Sequence, residues 1–140
     1  MPYEDEIPPW AEEWQPPAEL NDLTRRVIGA AIAVHDELGP GLPEEAYQRA
    51  LELEFTSCGI PFQPQYEVVI SYKGTAVCKG RIDFLVAGEL VVEIKSIEHL
   101  APIHKRQVIA YLYQTNLHLG LLINFNVAVL KEGIRRVIRS

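Results

Sequence analysis

At Tyr66 the spacing of the apolar residues changes. Before it they recur at helical intervals; from there Val68, Ile70 and Tyr72 alternate with Glu67, Val69 and Ser71, a period of two that suits an extended strand with two faces. A chain written first in one period and then in the other has to pack helices against a sheet, which predicts an α/β fold.

The helical part divides in two. Asn21 is suited to cap a helix carrying Leu23, Val27, Ala30, Ala31, Val34 and Leu38, and Gly39-Pro40-Gly41 breaks it. A second helix is expected from Pro43 to about Cys58, with Gly59 as its stop and Ala46, Tyr47, Ala50, Leu51, Leu53 and Phe55 as its buried stripe. Lys73-Gly74 turns the first strand into a hairpin. Residues 77–86 and 90–96 read as the next two strands, joined at Ala87-Gly88-Glu89. A third helix is expected over 102–117, and 119–125, 127–130 and 134–138 read as closing strands. The order of the principal elements is α-α-β-β-β-α-β-β, with 127–130 a short additional closing stretch and no internal repeat.

Residues 1–19 are different in kind. They hold Pro2, Pro8, Pro9, Pro16 and Pro17 and little aliphatic content, which predicts an extended or flexible tail ahead of a single domain over 20–140. Trp10 and Trp14 in that tail suit docking on a partner or back on the domain, though the plainer reading is an irregular tail that packs locally. The tail also explains the net charge of −6: it carries six acidic side chains and no Lys or Arg, and removing those six leaves 13 acidic and 13 basic residues. A neutral domain lacks the overall basic charge that drives nonspecific nucleic-acid binding. Cys58 and Cys78 are too few and too far apart for a disulfide framework or zinc cluster, so each is expected to be a small core residue. The apolar stretch 117–130 is interrupted by His118, Asn124 and Asn126 and falls short of the roughly 20 residues of a membrane span. Without a basic-then-apolar leader at the N-terminus, the cytoplasm is the expected location.

Chemistry concentrates on the second hairpin. On the strand 90–96, Val91, Glu93 and Lys95 share one face, because side chains alternate. The preceding strand presents Arg81, Asp83 and Leu85 together. A three-residue connection at Ala87-Gly88-Glu89 places Asp83 opposite Glu93, whereas a two-residue connection sends it to the other face. Two opposed carboxylates repel unless a cation lies between them, and with a backbone carbonyl such as that of Ile94 they form a hard oxygen set suited to Mg²⁺ or Mn²⁺. Lys95 beside such an ion could orient or deprotonate an attacking water. The plainer alternative is a solvated salt-bridge face.

Taken together, Asp83, Glu93-Ile94-Lys95 and the Gln107-x-x-x-Tyr111 pair resemble the PD-(D/E)XK nuclease superfamily. The stretch Gly41-Leu42-Pro43-Glu44-Glu45-Ala46-Tyr47 is similar to the motif of the GxxExxY family, as are 35–41 and 121–125. The resemblance covers about residues 21–138. It implies a restriction-endonuclease-like core, a mixed sheet flanked by helices, with Asp83 and Glu93 as metal ligands, Glu44 as a further acidic ligand and Lys95 as the catalytic lysine. Gln107 and Tyr111 would border the site and contact phosphate or position Lys95. His35 and His104 read more simply as structural hydrogen-bonders. Lys79, Arg81, Lys105 and Arg106 could line a phosphate-binding rim. The implied function is a Mg- or Mn-dependent nuclease with nucleic acid as its partner. The alternative is a noncatalytic assembly module that recruits a protein through the acidic tail or a helical face. A homodimer would suit so small a domain, and no membrane partner is expected.

Overall fold

The structure is a computed structural model that describes residues 14–140. The expectation of a flexible tail therefore lies largely outside the described residues, Trp10 with it. Helix α1 (Ala18–Leu38) is followed by α2 (Glu44–Ser57), then strands β1 (Phe62–Tyr72), β2 (Thr75–Val86) and β3 (Leu90–Lys95), helix α3 (Pro102–Thr115), and strands β4 (Leu119–Asn124) and β5 (Ile134–Ile138).

The five strands form one mixed sheet in the order β1-β2-β3-β4-β5. All neighbours are antiparallel except β3 and β4, which run parallel. A parallel pair needs a crossover, and α3 supplies it. The sheet has a core on each face. On one, Leu90, Val92, Ile94, Leu119, Leu121 and Ile123 pack against Val27, Ala31 and Val34 of α1 and Tyr47, Leu51 and Phe55 of α2. On the other, Val91 and Leu122 pack against Val108, Ile109 and Leu112 of α3. Covered on both sides, β4 is buried from Leu119 to Asn124 and β3 from Leu90 to Ile94, which is why neither shows the alternation of a half-exposed strand. Gly120 lets α3 approach closely: a Cβ there would lie 2.7 Å from Val108.

Several local expectations are corrected. Asn21 does not cap α1; the helix starts at Ala18, with the Leu20 and Asn21 N–H groups donating to the Pro17 carbonyl. Trp14 is not among these: it docks back on the domain, one of the arrangements its sequence suits, with its ring stacked on His118 at 5.0 Å. Residues 127–130 form no strand. Asn124 Oδ1 accepts from the Ile97 and Asn126 N–H groups, and its Nδ2 donates to the Ile97 carbonyl, so the chain turns away from the sheet into a short 3-10 helix over Leu130–Gly133. Helix α3 ends two residues early, at Asn116 in the left-handed region. Both cysteines are exposed, because Cys58 lies just beyond α2 and Cys78 in the outer half of β2. Leu53, expected in the α2 stripe, is 58% exposed beside a cleft between α1 and α2. Strand β1 begins before Tyr66 and includes Pro64, tolerated because β1 is an edge strand.

Candidate active site

The β2–β3 connection is the three-residue one. Val86 pairs with Leu90, Leu85 with Val91 and Phe84 with Val92, so the next step of the register sets Asp83 against Glu93. The ladder stops there. Instead, Glu93 Oε1 accepts the Asp83 N–H at 2.9 Å and Asp83 Oδ2 accepts the Ile94 N–H at 2.8 Å. The strands part, and the two carboxylates cap the peptide groups that parting leaves unpaired.

Strand β2 also changes its facing at this point. Phe84 belongs to the core under α1 and α2, yet Ile82, two residues earlier, belongs to the core under α3. On β1, Phe62 and Tyr66 divide in the same way. Gln65 lies between them, opposite Asp83, with φ of +49°, and its Nε2 donates to Asp83 Oδ1 at 3.4 Å. The expected common face of Arg81, Asp83 and Leu85 is therefore broken: Leu85 is buried beneath α3 and Arg81 is exposed.

Glu93 is only 6% exposed. Burial and the charge of Asp83 push its carboxyl up from 4.5 to about 8, against the opposing pull of the Asp83 N–H and Lys95. Glu44, the first residue of α2, is also raised, first by burial and then by Asp83, while Lys95 lowers it. Glu44, Asp83, Glu93 and Lys95 thus gather at one end of the sheet within electrostatic reach. Among the described residues Lys95 does not close to ion-pair distance with any of the three acids.

The α1–α2 turn is built to present Glu44. Gly39 and Gly41 have φ of +68° and +94°, conformations that a side chain would strain. Tyr47 Oη donates to the Gly39 carbonyl at 2.5 Å and accepts from the Leu42 N–H at 3.2 Å, drawing the turn over the helix start. Its ring stacks on Phe125 at 4.5 Å. Ser96, next to Lys95, donates its hydroxyl to the Leu42 carbonyl at 2.6 Å, tying the same turn to the end of β3. Gln48, one helical turn beyond Glu44, donates to the Asp83 carbonyl at 3.3 Å, and its Oε1 is buried without a partner. Sequence reasoning missed Gln48 and Ser96 as site residues; the i, i+4 spacing of Glu44 and Gln48 was the available signal for the first.

The remaining residues singled out in the sequence have these surroundings. Gln107 is exposed on α3. Tyr111 is half-buried and lies over β2 at Gly80, where a Cβ would come within 2.7 Å of its ring. His35 is buried, with Nε2 at 2.8 Å from the Val127 carbonyl, and His104 Nδ1 accepts the Ala101 N–H at the start of α3.

The donor set suits a divalent cation in one respect: two carboxylates, one of them raised by burial and by the charge of the other, are what a hard cation between them would relieve. Among the described residues, however, no group of three or more His, Cys, Asp or Glu side chains is gathered as a ready-made metal site. No helix among them is long and apolar enough to cross a membrane.

Comparison with known proteins agrees with this architecture. A search of curated proteins returned no match. The crystal structure of SSO0001 aligns over 81% of this chain and 63% of its own, with 22% identity and a TM-score of 0.42. The model of the PD-(D/E)XK nuclease superfamily matches residues 21–137, which takes in β1 to β4, all but the last residue of β5, and the Glu44, Asp83, Glu93 and Lys95 cluster. The mixed sheet, its flanking helices and this match agree, and the chain belongs to the PD-(D/E)XK nuclease superfamily.

Proposed function

We propose that this protein is a metal-dependent nuclease of the GxxExxY type that hydrolyses phosphodiester bonds in nucleic acid, acting in the cytoplasm. The observation that carries the reading is the parting of β2 and β3 at Asp83 and Glu93, where two carboxylates meet with Lys95 and Glu44 beside them. An ordinary solvated face would leave these carboxylates in water, yet here one is buried against the other. Burying like charges costs stability, and a cation between them would offset that cost.

Asp83 and Glu93 would hold Mg²⁺ or Mn²⁺, with the Ile94 carbonyl and Glu44 completing the oxygen set. When bound, the ion would polarise the phosphodiester and lower the pKa of water. The chain's own groups supply the rest. Lys95, in no ion pair among the described residues, is available to orient the attacking water. Gln48 and the Tyr47–Ser96 clasp hold the Asp83 backbone and the start of α2 in register.

A second reading, a noncatalytic module that keeps the fold and recruits a protein, is favoured by one observation: the acids do not form a preassembled three-residue metal cluster. Calorimetric titration of Mn²⁺ into the wild type and Asp83→Ala, with cleavage assays on mixed DNA and RNA substrates, separates the two. Binding and cutting that vanish together in the variant support the nuclease. Cleavage that survives in the variant, or the absence of Mn²⁺ binding in both proteins, refutes it.

A further inference from the structure

Beyond Asp83 the β1–β2 hairpin continues as a two-stranded ribbon over residues 66–81, outside the cluster described above. Its inner face rests on α3. Tyr66, Val68 and Ile82 join the core there, Gly80 lies under Tyr111, and the Ser71 N–H donates to Gln114 Oε1 at 3.2 Å. Alternation then turns Glu67, Val69, Val77, Lys79 and Arg81 outward, and all five are exposed. The register sets Glu67 opposite Arg81 and Val69 opposite Lys79. With Lys73 at the tip, the ribbon carries three cations and one anion, in a chain whose net charge is −6. The Lys79–Glu67 pair, at 3.5 Å and well exposed on both sides, holds Lys79 only weakly.

We propose that this outer face is the nucleic-acid-binding arm of the protein, with Arg81 and Lys79 contacting backbone phosphates of the strand that enters the site at Asp83. The inference rests on the nuclease reading. Two arguments select the occupant. The face is locally basic in a domain that is neutral over residues 20–140, so it complements a polyanion. It also adjoins the candidate site: Arg81 lies two residues before Asp83 on β2, and Lys79 lies about 13 Å from Asp83 at the usual rise of a strand. The arm gives Tyr111 a different task from the phosphate or Lys95 contact that the resemblance implies. Seated against Gly80, which has no side chain to displace it, Tyr111 fixes the height of the ribbon over α3 and so the line along which Arg81 leads to Asp83.

The test is fluorescence anisotropy of a labelled oligonucleotide against the full chain with metal chelated, comparing wild type with Lys79→Gln/Arg81→Gln across a salt series. Loss of two phosphate contacts should weaken binding on the order of tenfold and reduce the slope of log K against log salt by about 1.4 to 1.8. Mn²⁺ binding should be unchanged in the variant. Equal affinity and slope in the two proteins would overturn the arm, as would a wild type that binds no oligonucleotide. Displacement by polyglutamate as effective as by unlabelled oligonucleotide would also overturn it, by showing a general polyanion surface. Failure here is distinguishable from failure of the nuclease reading, which is decided by Mn²⁺ binding and cleavage in Asp83→Ala.

Discussion

Replacing Glu93 by Gln should stabilise the metal-free protein at alkaline pH and leave it nearly unchanged in acid. Glu93 is buried beside Asp83, and its carboxyl is raised from 4.5 to about 8. Below pH about 4.5 the group is protonated in both folded and unfolded chains, so it imposes no penalty. As pH rises from there, the unfolded chain loses the proton freely while the folded chain keeps it, and stability falls. Once the pH passes about 8 the folded chain ionises too and the loss is complete. At about 1.4 kcal/mol per pKa unit the full loss is roughly 5 kcal/mol. Because β2 and β3 already part at this point, water entry should reduce the observed figure to about 2–3 kcal/mol. The amide introduced by Glu93→Gln cannot ionise, yet its oxygen can still accept the Asp83 N–H. Urea unfolding of both proteins in EDTA at pH 5, 7 and 9 should therefore give curves that coincide at pH 5 and separate at pH 9, the variant being the more stable. Adding Mn²⁺ at pH 8 should recover stability in the wild type and not in the variant. Parallel pH dependence in the two proteins would refute the reasoning, because it would mean that Glu93 ionises in the fold as easily as in water.

Two further substitutions test other parts of the structure. Gly133→Ala would place a Cβ 2.2 Å from the Asn124 carbonyl oxygen, a backbone atom that cannot rotate away, and should cost at least about 3 kcal/mol in chemical denaturation; a cost under about 1 kcal/mol would show that the turn after β4 is slack. Tyr47→Phe removes the clasp on Gly39 and Leu42 but keeps the ring on Phe125. It should cost about 1–2 kcal/mol in unfolding and reduce kcat more than substrate affinity, by misplacing Glu44, whereas an unchanged kcat would assign the clasp to stability alone.

Much of the architecture is legible in the sequence because its cause is local. The helical spacing of Val27, Ala31 and Val34, the break at Gly39-Pro40-Gly41 and the alternation after Tyr66 each reflect one element packing one face. Pairing Asp83 with Glu93 depended on one integer, the length of the 87–89 connection, and the sequence left it open between two values. What lay beyond reach is tertiary. The positive φ of Gln65 belongs to a residue type that does not announce it, and it accompanies the change of face that sends Ile82 and Phe84 to opposite cores. Tyr47 looks like any aromatic in a helical stripe until its hydroxyl is seen to close the preceding turn. Cys58 and Cys78 were misplaced because small apolar side chains give no signal when they fall at a helix end or on an outer ribbon.

The ribbon beyond Asp83 has a further consequence for how the molecule comes apart. Of residues 66–81 only Val68 is fully buried, whereas β3 and β4 are buried almost throughout. Opening the ribbon forfeits little apolar contact and exposes peptide groups that water can already approach, so its amides exchange by local excursions, while those of β3 and β4 wait for the whole domain to unfold. Backbone softer than that of β3 and β4 is thus covalently continuous with one of the two central acids. A ligand that ordered the ribbon would draw on that reserve of conformational entropy, and binding along the arm would be felt at Asp83 without any movement of the strands beneath it.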